Sequence, residues 1–172
     1  MNKVILYVAA SLDGFIADIN GKVDWLWMPN DPDDILGYRK LKNRIGTIVM
    51  GSKSYQQALT FGPWEWSDKH TYVFTSKPLR TDLTCVEFIS QSPQEFIENF
   101  RRAGKSKDIW LFGGAALAAS FAQVRLIDEI VLTSVPITLG DGILLNLPWH
   151  DFMLQSEIQC MEGLIQKTYF LN

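Results

Sequence analysis

Cysteine is scarce: Cys85 and Cys160 are the only two in 172 residues, and they stand at no metal-type spacing. A disulfide framework and a cysteine zinc site are excluded, and a reduced, cytoplasmic setting is expected. His70 and His150 are isolated and lack ligand partners at useful spacing, so no metal is expected. Positive charge is also short, since 16 basic residues face 19 acidic ones for a net charge of -3, with no dense basic cluster. A nucleic-acid or anionic-membrane partner lacks its electrostatic footprint, and any phosphate site must be local. Long apolar runs are missing too. Residues 109–124 are nearly uncharged but contain Gly113, Gly114, Ser120 and Gln123 and fall short of the ~20 residues that span a bilayer. Residues 1–10 imitate a secretion signal, yet they run directly into Ser11-Leu12-Asp13-Gly14 and read as a buried first strand.

What is present suits one domain over residues 1–172, with 47% hydrophobic content to fill its core. Strands and helices alternate at first. The apolar run 4–10 is a central strand ended by Asp13-Gly14. A loop with Trp25 and Trp27 follows. Asn30-Asp31-Pro32-Asp33-Asp34 then announces a helix through cap, proline and acids, with Ile35, Tyr38, Leu41 or Lys42, and Ile45 as its stripe. Short strands are predicted at 47–50, 72–75, 86–89 and 109–112. Ser92-Pro93-Gln94-Glu95 is a capping box for a helix that buries Phe96, Ile97 and Phe100. An alanine-rich helix runs to about Gln123, a long strand covers 127–135, and 152–160 with 164–171 form a closing hairpin around Glu162-Gly163. Helical crossovers require parallel neighbours and the hairpin adds antiparallel ones, so the sheet is mixed and mostly parallel, flanked by helices: an α/β fold.

Three of those strand ends run into phosphate-friendly sequence: Met50-Gly51-Ser52-Lys53-Ser54, Thr75-Ser76-Lys77 and Phe112-Gly113-Gly114-Ala115. Ligands of open α/β sheets gather at the carboxyl ends of strands. A helix entered through glycine offers unpaired amides to a phosphate, and hydroxyls and lysines at neighbouring ends complete an anion site. Each piece alone is also what a tight turn or a solvated corner looks like.

The ordered set resembles dihydrofolate reductases and the C-terminal reductase domain of the bacterial bifunctional deaminase-reductase of riboflavin synthesis, over nearly the whole chain. Ser11-Leu12-Asp13-Gly14-Phe15-Ile16-Ala17 is similar to the family's Ser-x-Asp-Gly-x-Ile-Ala, and Met50 to Tyr55 to its Met-Gly-Arg-x-Thr-Tyr, with Ser52 in place of arginine. Leu126-Ile127-Asp128-Glu129-Ile130 and Pro136-Ile137-Thr138-Leu139-Gly140-Asp141-Gly142 resemble its late strand and turn. The resemblance implies a dihydrofolate-reductase-like fold and NADPH as cofactor. Gly51, Ser52, Lys53 and Ser54 would lie near its phosphates, Thr75, Ser76 and Lys77 near the 2′-phosphate, Gly113, Gly114, Ala115 and Ala116 along the pyrophosphate, and Ala9 and Ala10 near the nicotinamide. The absent arginine at Ser52 removes a guanidinium fork from the phosphate site.

Asp13 is the first candidate for a proton donor, with an ordinary Asp-Gly turn as the alternative. Asp31, Asp33 or Asp34 falls near the helix carboxylate of folate reductases, with Asp34 the substrate-binding candidate and helix capping the competing role. Thr133 matches a substrate-facing threonine, and Trp25 and Trp27 sit in the segment resembling the loop over the nicotinamide, where they stack on a flat substrate or fill core. Trp64 and Trp66 line the same cleft or cover a subunit interface, and a homodimer is expected. Three functions remain: reduction of an aminopyrimidine-type heterocycle, reduction of folate, or noncatalytic dinucleotide binding. Phe15 and the lack of an Asp-x-Pro-x-Leu-Thr-x-Arg segment depart from the riboflavin-pathway pattern.

Overall fold

A computed structural model describes residues 2–27, 31–77 and 79–172. Its main sheet has eight strands in the order β5-β4-β3-β6-β1-β7-β10-β9. These are β1 (Val4–Ser11), β3 (Ile45–Gly51), β4 (His70–Phe74), β5 (Val86–Ile89), β6 (Asp108–Gly113), β7 (Glu129–Val135), β9 (Phe152–Gln159) and β10 (Ile165–Leu171). The five strands β5, β4, β3, β6 and β1 run parallel with β7 beside them, and only β10 runs the other way, antiparallel to both β7 and β9. The fold is thus mixed and mostly parallel. Two short strands, β2 (Phe15–Ala17) and β8 (Ile143–Leu144), form a separate antiparallel ribbon. That ribbon needs Gly142, where an added Cβ would fall 2.3 Å from the Ala17 carbonyl oxygen.

Side chains alternate across the sheet with the strand period of two. Val4, Leu6, Val49, Ile109 and Leu111 enter one core layer, which α3 (Pro93–Arg102) and α4 (Ala115–Gln123) close with Phe96, Ile97, Phe100 and Phe121. Ile5, Ile48, Met50, Val73 and Trp110 enter the opposite layer, under α1 (Tyr38–Arg44) and α2 (Ser52–Ala58). Each fully buried side chain of this kind stabilises by about 1.5–3 kcal/mol. The capping box of α3 forms as read: Ser92 accepts from the Glu95 amide, and Glu95 accepts from the Ser92 amide at 2.8 Å.

The first helix is shorter than its sequence signals. Residues 31–37 turn, and α1 begins only at Tyr38. The acids cap turns instead of opening the helix. Asp31 accepts from the Ile35 and Leu36 amides at 2.8 Å each, and Asp34, left-handed at φ 56°, accepts from the Arg39 and Lys40 amides at 2.8 and 3.0 Å. Ile45, read as helical, starts β3. Asn30, part of the predicted cap, lies outside the described residues. At the amino end of the sheet, Arg44 donates to both oxygens of buried Glu129 at 3.1 and 3.0 Å and to Asp108 at 3.1 Å, tying α1 to β6 and β7. That pairing holds the guanidinium in its charged form more firmly than usual.

Candidate active-site cleft

At the carboxyl ends of the parallel strands, a cleft of about 770 Å³ opens on the α1/α2 side of the sheet. Strand alternation supplies its floor: Tyr7 and Ala9 from β1, Trp110 and Phe112 from β6, and Thr133 and Val135 from β7. The walls come from the connections, chiefly Trp27, Leu36, Tyr38, Phe61, Trp64 and Trp66. The rings lock edge to face. Trp66 meets Trp110 at 5.6 Å and 90°, Phe112 at 5.4 Å and 66°, and Trp64 at 5.0 Å and 89°. Such tilted pairs exceed their simple burial value by about 0.5–1.5 kcal/mol. They make a stiff, preformed wall.

A short polar chain runs beneath. Gln166, buried on β10 in register with Thr133, donates through Nε2 to the Leu36 carbonyl at 2.9 Å and to Thr133 Oγ1 at 3.1 Å. Both amide hydrogens are engaged, so the side chain has one orientation, and Thr133 keeps its own hydroxyl hydrogen for another acceptor. Tyr7 donates to the same Leu36 carbonyl at 3.0 Å, and burial above all raises its pKa to about 12. Burial also raises the Tyr38 phenol, which donates to Glu65 and accepts from Trp66 Nε1 at 3.0 Å.

The sequence-predicted residues fall into two groups. Ala9, Ser54, Gly114, Thr133, Trp27 and Asp34 line the cleft. The predicted phosphate-site residues continue beyond it along one edge: Gly51 closes β3, Gly113 closes β6, and Thr75, Ser76 and Lys77 follow β4, the neighbour of β3. The strands end within one residue of the expected Met50, Thr75 and Phe112. An added Cβ at Gly51 would lie 3.9 Å from the Gly113 carbonyl oxygen, so the ends are in contact. Ser52 and Lys53 begin α2, and Ala115 and Ala116 begin α4. The Gly113-Gly114 peptide bond is cis, and Gly113 has φ 115°. Thr75 Oγ1 accepts from the Lys77 amide at 3.1 Å and shapes the loop after β4. Ala10 is buried beside Ser134 and does not line the cleft.

Two expectations change. Asp13 is not part of the cleft lining. Its carboxylate accepts from Ser11 Oγ at 2.6 Å and from the Leu139 and Gly140 amides, and these bonds, Ser11 first, lower its pKa to about 2. It is an anionic clamp between two loops, and the geometry gives no support to proton donation from it. Trp25 packs with Leu36, Val135 and Leu164, and its indole N–H is buried without a partner among the described residues. Core filling describes it better than substrate stacking. Trp64 and Trp66 belong to the cleft wall, which removes the exposed tryptophans from the case for a dimer. Tyr7, Trp110 and Phe112 were legible only as apolar strand residues. Gln166 gave no sequence signal, because its link to Thr133 spans 33 positions.

Among the described residues no cluster of three or more His, Cys, Asp or Glu could hold a metal ion, and no helix is long and apolar enough to cross a membrane. The sheet order and the cleft at its carboxyl edge define a dihydrofolate-reductase-like fold, and comparison agrees. Dihydrofolate reductase from Enterococcus faecalis, solved with NADP(H), superposes with a TM-score of 0.70 over 99% of this chain and 96% of that one, at 18% identity. A crystal structure from Shewanella sp. PV-4, named for riboflavin biosynthesis, matches with a TM-score of 0.86 over 99% of both chains at 29% identity. The RibD C-terminal domain family matches residues 2–146, and the chain belongs to that family. The uncharacterized protein YwjB of Bacillus subtilis (strain 168) is 35% identical over 142 residues, covering 82% of this chain and 80% of YwjB.

Proposed function

We propose that this chain is an NADPH-dependent reductase of a small, flat, nitrogen-rich heterocycle. The observation that carries the reading is the union of two features at one sheet edge: an aromatic cleft of about 770 Å³ and, at its end, the Gly114 corner that opens α4. Membership in the RibD C-terminal domain family and the likeness to a reductase solved with NADP(H) support it.

The residues fit the cofactor. The α4 N-terminus has no side-chain cap, so its first amides are free to meet a phosphate. Gly114 leaves the approach clear, since an added Cβ would already sit 3.2 Å from Ser54 Oγ. Lys53 and Lys77 are exposed at the ends of β3 and β4 and make no ion pair among the described residues. These are the groups that would hold the phosphates, with Ala9 small enough for a ring to approach β1. NADPH, when bound, supplies the hydride.

The protein's own part is orientation and exclusion of water. The tryptophan wall holds a planar ring against β1 and β6, and the apolar floor keeps the site dry. Thr133, oriented by Gln166, offers its hydroxyl hydrogen to a ring nitrogen or carbonyl and polarises it. Asp31 and Asp34 each accept from two backbone amides, so both carboxylates are held in place as turn caps. The test is cofactor-fluorescence titration of the parent and Gly114→Val, with circular dichroism as the fold check, and NADPH oxidation across a panel of aminouracils, dihydrofolate, quinones and imines. Tight NADPH binding lost in the folded valine variant supports the reading. Equal binding by both proteins places the cofactor elsewhere and overturns it.

A further inference from the structure

We propose that the cleft takes a flat, electrically neutral heteroaromatic substrate and turns away one bearing a phosphate or carboxylate. The inference deepens the reductase reading and rests on it. Among the described residues, the charged side chains lining the cleft are three carboxylates, Asp31, Asp34 and Glu65, against one guanidinium, Arg39. That guanidinium donates to the Pro32 carbonyl and lies 3.9 Å from Asp34, so it is shared with a carboxylate of the same lining. Each aspartate accepts two backbone N–H groups, and for Asp34 burial is outweighed by the Arg39 and Lys40 amides, which lower its pKa. Lys42 stands 3.9 Å from Glu65 but outside the lining, and its ammonium lies over the Tyr38 ring at 5.5 Å.

An anion entering this space would lose its hydration, face three carboxylates against one guanidinium and meet the electron-rich faces of the aromatic wall. A neutral ring loses little solvation and gains stacking surface. It also finds one well-oriented neutral donor, the Thr133 hydroxyl held by Gln166. The groups suited to phosphate, the α4 amides with Lys53 and Lys77, sit beyond the Gly114 end, where the cofactor belongs. Phosphate recognition and ring recognition are thus placed at opposite ends of the site.

The test uses riboflavin and riboflavin 5′-phosphate, which share ring and side chain and differ in the phosphate. Both are titrated by calorimetry into the parent saturated with NADP+ and into Gly114→Val, each of which closes the phosphate-suited end. Riboflavin is expected to bind tighter by at least about tenfold, equivalent to about 1.4 kcal/mol, and Glu65→Lys to narrow that gap. Equal or tighter binding of the 5′-phosphate in the closed-end proteins, or no binding of either compound, overturns the proposal. NADPH titration of the same parent keeps the two readings apart. A protein that prefers riboflavin yet ignores NADPH refutes the reductase reading, and one that binds NADPH yet prefers the phosphate refutes this one.

Discussion

Replacing Tyr7 by phenylalanine removes a single buried phenol whose ionisation the structure opposes. Burial first, then the Asp34 carboxylate, with smaller help from Asp31 and Cys160, raise its pKa from 10.0 to about 12 against the opposing influence of the nearby Gln166 amide. The unfolded phenol ionises near its ordinary value and the folded one only about two units later. Its contribution to stability is therefore complete below about pH 10 and is lost as the pH climbs through about 12. At about 1.4 kcal/mol per unit, the loss amounts to about 3 kcal/mol. Near neutral pH the variant forfeits one hydrogen bond, worth about 1 kcal/mol. The Leu36 carbonyl stays satisfied, because Gln166 Nε2 still donates to it at 2.9 Å. Urea denaturation of both proteins at a series of alkaline pH values reads the difference, in which lysines and the other tyrosines cancel. The variant is expected to be less stable by about 1 kcal/mol at neutral pH, to draw level near about pH 11, and to be the more stable protein above it. Stability curves that stay parallel through the alkaline range would refute the burial argument.

Arg44→Ala leaves Glu129 buried without its partner. With the arginine side chain 40% exposed and that of Glu129 only 9%, the loss should be about 2–3 kcal/mol, read as a lower urea midpoint; an unchanged midpoint counts against the network. On the proposed cofactor placement, Lys77→Ala should weaken NADPH by about tenfold while leaving NADH nearly unaffected, because it would remove one charge partner of the 2′-phosphate. Equal losses for both cofactors would take Lys77 out of that role. A homodimer is expected at the edge strand β9, where Met153, Leu154 and Ile158 are exposed on eight residues whose sole charge is Glu157. Light scattering should give a dimer that Ile158→Lys dissociates, and a parent monomeric at high concentration would dispose of it.

Local chemistry carried much of the fold. The capping box at Ser92, the strand of residues 86–89 and the hairpin around Glu162-Gly163 depend on neighbours a few positions apart, and each stands where the residues place it. The converging ends of β3, β4 and β6 were legible for the same reason, since each turn announces itself in glycine, serine and lysine. Residues 31–45 were harder. Proline and acids signal a helix start, but the same carboxylates serve equally well to cap turns, and only packing of Leu36 beside Val135 and Leu164 selects between them.

The cleft itself was decided by tertiary structure. Sequence alone determines that Tyr7, Trp110 and Phe112 lie on apolar strands, and that Trp64 and Trp66 are close to one another. Which face each ring takes follows from register, because a slip of one residue moves every side chain to the other layer. The contact between Gln166 and Thr133 needs two strands paired antiparallel across 33 positions. The capture of Asp13 by amides at Leu139 and Gly140 needs loops more than 120 positions apart to meet. Such pairings carry no local signature, since the energy that selects them is burial and hydrogen bonding summed over the whole sheet.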